Sequence, residues 1–600
     1  MGRLRCRAAA WVTVGWVAGC DATPPPLAPT DAGAPADVQE GFASTDAGAP
    51  PDIAEDAPAP QEEAQPPPIA GGTLAITADG ATAVASDPDG DRVLVVDLTH
   101  HAVTAALALR PGDEPGRVAI GGGRAFVALR GGGAVVTVDL ARGALSERRS
   151  PCAHPRGLAW DGAAGALHVA CMGGELVTLP PEGEAPVRRA QLDRDLRDVV
   201  VLGDRLAVSR LRSAEVLIVD GRGAVTQRIA ATAPARTEAG VARRMVAAPG
   251  GGVWLLHQRA GTAPVTVSTT GYYSATVTCA GTEGVTRPAL SRLPLPGDVR
   301  HLPDLPDAAL AVDVAVNRAG TALAVAVPGA FGSARPQVIS VAVAGEACAT
   351  VAPVELASYG QAVAVAFAGA DRLVVQQRLP AALVVDGQSI ALGGVMPRDS
   401  GSVLFHTNRG GTVACAACHV EGEDDGRVWT FAPAGARRTP SLRGGLLGTE
   451  PFHWSGDLPD FTALVDAVMV RGMRAPRPSE AGIDALARWI DRLPRRAAAA
   501  PDADAVARGE ALFRDETTAC ATCHSGPHFT NGATVDVGTG EALQVPALHG
   551  LAWRAPYLHN GCAPTLRDRF GACGGGDRHG RTSHLTPAQL GDLVAYLDTL

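Results

Sequence analysis

A unit of two short apolar strands around a Gly- or Asp-containing turn recurs seven times in the middle of the chain. The copies begin at Leu74, Val118, Leu158, Val199, Met245, Asp313 and Val363. A third β-rich run follows most copies, as in VLVVDL, VVTVDL, VLIVDG and ALVVDG. The spacing is about 40 to 50 residues and is stretched once, between Met245 and Asp313. One such unit cannot bury both faces of its sheet, so the units must pack against each other.

Blades of this length joined by hairpin turns predict an all-β propeller with seven blades over residues 71–396, with a stacked solenoid as the alternative. The pattern resembles the bacterial YVTN-type propellers in its rhythm, although no strict YVTN tetrapeptide occurs. The stretched fifth repeat carries an insertion at residues 262–287, a loop that can shape a binding face. Four cysteines of this region predict two structural disulfides, Cys152 with Cys171 and Cys279 with Cys348.

Two CxxCH motifs lie in the last two hundred residues, Cys415/Cys418/His419 and Cys520/Cys523/His524. This spacing is that of covalent haem c attachment, in which two thiols bind the porphyrin and the adjacent histidine binds the iron. A zinc ribbon is the alternative, but its two CxxC pairs usually lie about 15 to 20 residues apart. A thioredoxin-like dithiol is disfavoured because neither pair lies in a βαβ pattern. The sequence predicts two covalently bound haem c groups.

The N-terminus has the features of an export signal. Three arginines precede an apolar stretch that is too short to span a bilayer, and Val17-Ala18-Gly19-Cys20 resembles a bacterial lipobox. Residues 1–20 are therefore predicted to be a lipoprotein signal peptide, with Cys20 as the lipid-modified first residue, or alternatively an ordinary secretory signal. Residues 21–70, rich in Pro, Ala, Asp and Glu, are predicted to be a disordered tether. We expect a protein anchored by lipid in the bacterial cell envelope, in the periplasm or on the outer-membrane surface.

Around the two motifs the chain resembles the bacterial di-haem cytochrome c peroxidase and MauG family. The resemblance rests on several segments between residues 399 and 600, including VLFHTNRGGTVACAACH, RRTPSLRG, PFHWSGDLPDFTAL, GEALFRDETTACATCHSGPHFT and VPALHGLAWRAPYLHNGCAPTL. It implies two mostly helical cytochrome c domains, over residues 397–494 (site 1) and 504–600 (site 2). In that family one haem reacts with peroxide, the other supplies electrons, and a tryptophan lies between them. Trp454 matches this tryptophan, with simple packing as the alternative role.

The chain departs from the family at the distal side of site 1. Where the peroxidases have a Glu-Met pair with an acid-base role, this chain has Gly472-Met473. Met473 is a candidate sixth ligand, or a packing residue, and His453 is the competing distal group. These departures favour an electron carrier over a true peroxidase.

At site 2 the family's distal Met or Tyr falls near Cys573, and neither residue is present. His579 is the preferred sixth ligand, because the glycines before it permit a close approach. Cys573 is predicted to pair with Cys562. Four other histidines are alternatives to His579 and are expected to form hydrogen bonds instead: His528, His549, His559 and His584. Three arginines are candidates for pairing with haem propionates or for a solvated face: Arg437, Arg438 and Arg443.

Three functions are compatible with this sequence: a haem oxidoreductase, a pure electron carrier with two six-coordinate haems, and a propeller-based binding protein for a protein or glycan. The expected electron donor is a small redox protein or a quinol-linked system. The formal net charge of −10 argues against a nucleic-acid partner. Calcium often lies between the domains of the family, but no ligand set for it stands out here. Contact with the membrane is expected only through the lipid anchor.

Overall fold

The fold is described from a computed structural model of the chain. It describes residues 65–183, 185–231, 233–234, 236–268, 271–273, 285–302, 305, 308–330, 337–343, 351–354, 356, 360–394, 399–407, 413–498 and 502–600. These residues fall in one compact unit that spans residues 63–600. Among them, no helix combines the length and the apolar character needed to cross a membrane.

Seven four-stranded antiparallel sheets follow one another along the chain, which confirms the seven-bladed propeller. Blades 1 and 2 comprise Leu74–Ile76, Thr82–Asp87, Arg92–Asp97 and Ala102–Ala108, then Pro115–Gly121, Arg124–Leu129, Ala134–Asp139 and Ala144–Arg149. Blades 3 and 4 comprise Pro155–Asp161, Ala166–Cys171, Glu175–Leu179 and Arg188–Gln191, then Leu196–Leu202, Arg205–Arg210, Glu215–Val219 and Val225–Ala230. Blades 5 to 7 comprise Thr237–Ala247, Val253–Gly261, Thr286–Leu293 and Arg300–His301, then Asp313–Val316, Ala322–Ala326, Val338–Ala342 and Val351–Pro353, then Ala362–Ala368, Arg372–Arg378, Ala381–Val385 and Gln388–Ala391.

The insertion of the stretched repeat lies between the second and third strands of blade 5. It contributes the short antiparallel pair Thr266–Ser268 and Gly271–Tyr273. The backbone of the second of these strands contacts a helix of the first cytochrome domain. The insertion is therefore directed toward the haem-binding half of the chain.

Apolar side chains that alternate along the strands fill the spaces between neighbouring blades. Between blades 1 and 2, for example, Val84, Val93 and Val95 pack against Val118 and Val127. The first strand of each blade contacts the first strand of the next, so these seven strands line the centre of the ring. Each blade thus buries one sheet face against each neighbour, which a single repeat could not do alone.

The ring closes between blades 7 and 1 without an exchange of strands. Arg378 forms a bidentate pair with Asp89, with two nitrogen–oxygen distances of 2.6 Å. Gln376 donates to the Ser86 carbonyl at 2.8 Å and accepts from the Thr73 hydroxyl at 2.7 Å. Buried hydrogen bonds and ion pairs, and not a shared sheet, hold blade 7 against blade 1.

The described residues of the C-terminal half form six α-helices: α1 (Ser400–His406), α2 (Cys415–Cys418), α3 (Phe461–Leu464), α4 (Glu480–Asp491), α5 (Ala503–Arg514) and α6 (Pro587–Leu597). A π-helix, Val465–Gly472, continues α3. The small hairpins pair Val428–Phe431 with Gly435–Arg438 and Thr534–Val535 with Leu543–Gln544. Single 3₁₀ turns are Val420–Gly422, Cys520–Thr522, Leu551–Trp553, Asp568–Phe570, Ala572–Gly574 and Gly576–His579, with one more in the propeller at Pro328–Ala330. The helical content is lower than a mostly α domain would have, although the layout is as predicted.

The end of the predicted tether is part of the folded body. Residues 66–70 are buried, and the Trp489 indole of α4 donates to the Pro66 carbonyl at 2.9 Å. The backbone N–H of Ile69 donates to the Nε2 atom of the buried His406 at 3.1 Å. Proline and isoleucine supply apolar surface that packs between the propeller and α4, so the tether prediction does not hold for these residues.

Candidate haem sites

The proximal histidine of site 2 is oriented for metal binding. The Nδ1 atom of His524 lies 3.0 Å from the Phe529 carbonyl oxygen, so Nδ1 carries the proton, and the Pro546 backbone is a second hydrogen-bond partner of the ring. Burial lowers the pKa of His524 to about 4, which keeps the imidazole neutral, as a metal ligand must be. Cys520 and Cys523 lie on the turn immediately before it with free thiols.

Site 1 repeats this arrangement. Cys415 and Cys418 begin and end α2, and both thiols are free. The Nδ1 atom of His419 lies 3.0 Å from the Pro440 carbonyl oxygen, and the Glu423 backbone is a second hydrogen-bond partner of the ring. Burial lowers the pKa of His419 below its usual value. Both motifs thus present two thiols one turn apart and a neutral, correctly oriented imidazole, which fits covalent haem c.

The thiols do not have the properties of a redox dithiol or a zinc ribbon. Burial raises the pKa of Cys415 to about 11 and raises the pKa of Cys418 and Cys520 as well, whereas a reactive dithiol needs a lowered pKa. Within the part of the chain that the structure describes, no three His, Cys, Asp or Glu side chains gather to hold a metal ion. The four thiols are therefore not brought together as a ribbon requires.

The imidazole rings of His579 and His524 lie close together at site 2. The centroids of the two imidazole rings are 6.3 Å apart, and their planes differ by 34°. Two imidazoles bound through Nε2 at about 2.0 Å to opposite sides of one metal ion have centroids about 6.3 Å apart. The Nδ1 atom of His579 lies 3.1 Å from the Gly574 carbonyl oxygen, so Nδ1 carries the proton. Burial lowers the pKa of His579 to about 3. The pair fits a haem with two histidine ligands.

The candidate distal groups of site 1 are not arranged in this way. Met473 is buried with Val413 and Ala417 and packs against Cys415, beside the attachment helix. His453 is exposed, and its Nδ1 atom lies 3.2 Å from Asp457. Among the described residues, no ring contact or hydrogen bond joins either side chain to His419. A ligand role for Met473 stays a prediction.

The regions around the two CxxCH motifs have the same internal architecture. In each, a first helix crosses a last helix at a glycine: a Cβ atom on Gly401 would lie 2.2 Å from the Ala485 carbonyl oxygen, and one on Gly509 would lie 2.0 Å from the Asp592 carbonyl oxygen. Behind each crossing two aromatic rings pack together, Phe405 on Trp489 and Phe513 on Tyr596, with centroids 4.8 Å and 5.3 Å apart. Helix pairs α1/α4 and α5/α6 are thus structural equivalents.

A turn that occurs once in each of these two regions brings Trp454 close to a histidine. Residues 451–458 (PFHWSGDL) and 556–563 (PYLHNGCA) form the same turn, closed by the bridges Phe452 to Leu458 and Tyr557 to Ala563. Trp454 and His559 occupy equivalent positions in this turn, and the centroids of their rings are 6.2 Å apart. The Trp454 indole donates to the Arg438 carbonyl at 2.7 Å. The half-buried tryptophan therefore lies at the contact between the two cytochrome domains.

The remaining histidines and arginines form hydrogen bonds and ion pairs. His528 and His549 are 3.2 Å apart, nitrogen to nitrogen, and His584 is exposed. Arg437 binds Glu541 of the second domain through both oxygens, at 2.7 and 2.9 Å, and His559 lies 3.4 Å from the same carboxylate. The alternative of a solvated face is wrong for Arg438 and Arg443, which are buried and bound to Asp424 and to backbone carbonyls.

The sequence analysis missed an acidic segment, residues 421–425 (EGEDD), that follows the haem-binding motif of site 1 and is buried against the propeller. Glu421 is 1% exposed and lies between Arg197, Arg130 at 3.4 Å, Arg156 at 3.9 Å and Arg496 at 3.8 Å. Three of these arginines belong to blades 2 to 4 or their connecting turns. The propeller thus binds the segment that directly follows His419 in the chain.

The next two carboxylates continue this contact. The Arg496 Nε atom lies 3.0 Å from Glu423, and the Arg212 Nε atom lies 2.9 Å from Asp424. Burial alone would raise both carboxyl pKa values, but the arginines outweigh it. The pKa of Asp424 falls to about 2, and that of Glu423 falls below its usual range. Both groups remain charged inside the interface at neutral pH.

We expect acid to weaken this interface. The folded-state pKa of Asp424 lies below its unfolded value, so its stabilisation is fully present above about pH 4.5 and is lost as the pH falls toward 2. The free energy of unfolding, measured by denaturant titration, should fall by about 2 to 3 kcal/mol from this group alone. Asp425 acts in the opposite sense, because burial raises its pKa to about 6. An Asp425→Asn variant removes that opposing effect, and a flat profile from pH 5 to pH 2 in this variant would contradict the prediction.

Two disulfides link the cysteine pairs that the sequence analysis proposed within the described residues. The S–S distance is 1.99 Å for Cys152 and Cys171, and Cys562 is joined to Cys573 in the second cytochrome domain. Cys279 and Cys348 lie outside the described residues, as does Cys20. Their predicted roles stay predictions.

Comparison with known proteins finds a family match for the region around the second CxxCH motif. The family described as Cytochrome c matches residues 506–600. The hydrazine synthase subunit gamma of Kuenenia stuttgartiensis is 27% identical over 257 residues, which cover 32% of this chain and 72% of that protein.

Among solved structures, a chain of the Kuenenia stuttgartiensis hydrazine synthase is similar with a TM-score of 0.44 and 16% identity, over 56% of this chain and 99% of that chain. A virginiamycin B lyase from Staphylococcus aureus is similar with a TM-score of 0.40 and 11% identity, over 54% and 95% of the two chains. The chain therefore consists of a seven-bladed β-propeller followed by a haem-binding half that ends in a cytochrome c domain.

Proposed function

We propose that this chain is an extracytoplasmic di-haem c-type cytochrome in which electrons pass between the two cytochrome domains. The observation that carries the proposal is the repeated geometry of the two sites. Each has two free thiols one turn apart and a histidine whose Nδ1 atom is fixed by a backbone carbonyl. Haem c, when bound, supplies one-electron redox chemistry at each site.

The protein residues give the two sites different tasks. At site 2, the His524 and His579 rings lie at ligand spacing, which suits a closed electron-carrying centre. At site 1, no histidine ring among the described residues lies beside His419 at this spacing, and we infer that this site binds a small molecule such as peroxide or another oxidisable or reducible substrate. Trp454 and His559 fill the contact between the domains and are the aromatic groups best placed to support electron passage.

A pure electron carrier is the second candidate, and one contact favours it. Met473 packs against Cys415 and Ala417, so its thioether lies close to the attachment helix of site 1. Methionine is an established sixth ligand in cytochromes c, so Met473 is the candidate for this role at site 1. In that case neither site would bind an external ligand.

The propeller face that carries Arg130 and Arg156 is covered by the chain's own acidic segment. A protein or glycan partner would therefore have to use the opposite face or the blade edges. We also propose that the protein receives electrons from a small redox protein or a quinol-linked donor. The relative named as a hydrazine synthase subunit supports a role within a larger redox enzyme.

The location in the cell envelope and the lipid anchor at Cys20 are proposed from the sequence. Two disulfides in the described chain support an oxidising compartment, because such bonds persist outside the cytoplasm.

A redox titration of the purified holoprotein tests the proposal. We expect two one-electron transitions in the wild type, and one in each paired variant, Cys415→Ala/Cys418→Ala and Cys520→Ala/Cys523→Ala, because each pair holds its own haem. The two variants are matched controls for each other. A wild type with a single transition, or a first variant that retains both, would contradict the di-haem proposal.

A further inference from the structure

One propeller side chain, that of Arg243, contacts α2, the helix that carries the attachment cysteines of site 1. Arg243 lies on the first strand of blade 5, Thr237–Ala247, and its Nη2 atom donates to the Ala416 carbonyl at 2.9 Å and is 3.5 Å from the Ala417 carbonyl. These two alanines stand between the two attachment cysteines in the motif. A side chain of the propeller thus binds the backbone of the haem motif itself.

Arg243 is buried, with 3% of its surface exposed, and its backbone is bound by a second arginine. The Arg197 Nε atom donates to the Arg243 carbonyl at 3.0 Å, and the same arginine pairs with Glu421. Within the described residues, no carboxylate lies within ion-pair distance of Arg243. Its positive charge is therefore balanced by helix carbonyls and not by a direct ion pair.

This charge lies close to the metal-binding histidine. Two peptide units separate Ala417 from His419, so their Cα atoms are at most about 7.6 Å apart. Between buried groups the interaction of charges is several times stronger than in water. A fixed cation favours the reduced form of a haem, because the oxidised iron carries one more positive charge.

We propose that the propeller raises the reduction potential of site 1, with Arg243 as the positioning residue that holds the attachment helix and supplies the charge. The inference rests on the proposed haem at site 1 and adds a task for the propeller. Near site 2 the propeller contacts Ala552 through Arg194, at 3.4 Å, and Trp553 through His154, with ring centroids 5.4 Å apart, and neither contact involves the CATC turn. The potential of site 2 therefore serves as an internal reference.

The test compares charge-removing and charge-keeping variants in the full-length holoprotein. We expect Arg243→Gln, which keeps a polar side chain but removes the charge, to make reduction of site 1 at least tenfold less favourable, a fall of 59 mV for a one-electron couple. Arg243→Met should give a fall of at least this size, and Arg243→Lys should keep the wild-type potential. Arg142→Met removes a cation whose side chain is 81% exposed on a propeller turn and should change neither site.

Potentiometric titration followed by EPR and absorbance resolves the two sites. A site 1 potential that is unchanged in Arg243→Gln, or a shift of both sites by the same amount, would overturn the inference. Because Arg243→Gln keeps a polar side chain in place of the guanidinium, it decides the question even if Arg243→Met does not fold. A wild type without haem at site 1 would instead overturn the proposed function, and haem content separates these two failures.

Discussion

Replacing His579 by glycine should convert the ferric haem of site 2 from low spin to high spin. The centroid of this imidazole lies 6.3 Å from that of His524, so we expect its removal to leave the proposed haem of site 2 one ligand short. The change is large, since the electronic state of one entire haem switches. EPR and absorbance spectra of the oxidised holoprotein measure it, and added imidazole should restore the low-spin state.

The matched control is His584→Gly, which removes an exposed histidine five residues further along the chain. That variant should keep the wild-type spectrum. A low-spin site 2 that survives in His579→Gly would show that another residue is the ligand, and the assignment of His579 would fail.

Replacing Glu421 by glutamine should lower the free energy of unfolding by about 3 to 5 kcal/mol, the usual cost of removing one partner from a buried ion pair. Four arginines lie around this carboxylate, and without its charge they remain buried and poorly compensated. Denaturant unfolding followed by tryptophan fluorescence measures the change, with haem content checked by mass so that haem loss is not mistaken for it.

Glu182→Gln is the matched control for this substitution. Glu182 also pairs with an arginine, Arg124, but its side chain is 75% exposed. Surface pairs contribute about 0 to 1 kcal/mol, so this variant should be close to wild type. Equal losses in the two variants would contradict the view that the acidic segment is a buried fastening between the propeller and the first cytochrome domain.

The propeller could be predicted from the sequence because its signal is local and repeated. Copies such as LAITADGATAVAS carry their own strands and turn, so each blade can be recognised without knowing its neighbours. The haem motifs were equally visible, since thiols and histidine lie within five residues. The spacing within each motif was therefore enough to predict that its thiols and histidine lie together.

The contacts between distant parts of the chain could not be predicted in this way. Glu421 and Arg197 are 224 positions apart, and nothing in the local pattern around either residue points to the other. The run EGEDD after the first haem motif was the only available signal, and an acidic run is more often a solvated surface. The burial of residues 66–70 depends in the same way on Trp489 and His406, far along the chain.

The equivalence of Trp454 and His559 could be predicted from the sequence only in part. PFHWSGDL and PYLHNGCA share a proline, an aromatic residue and a glycine at the same spacing, so an internal alignment of the two domains would have paired them. That the two rings then meet across the domain contact is visible only in the structure.

The central claim is that each cytochrome domain holds one covalently attached haem c, and peptide mass spectrometry of the digested holoprotein tests it most directly. We predict that the peptide containing Cys415 and Cys418 and the peptide containing Cys520 and Cys523 each carry the mass of one haem. An unmodified first peptide beside a modified second one would contradict the claim, and would leave a single-haem cytochrome fused to a propeller.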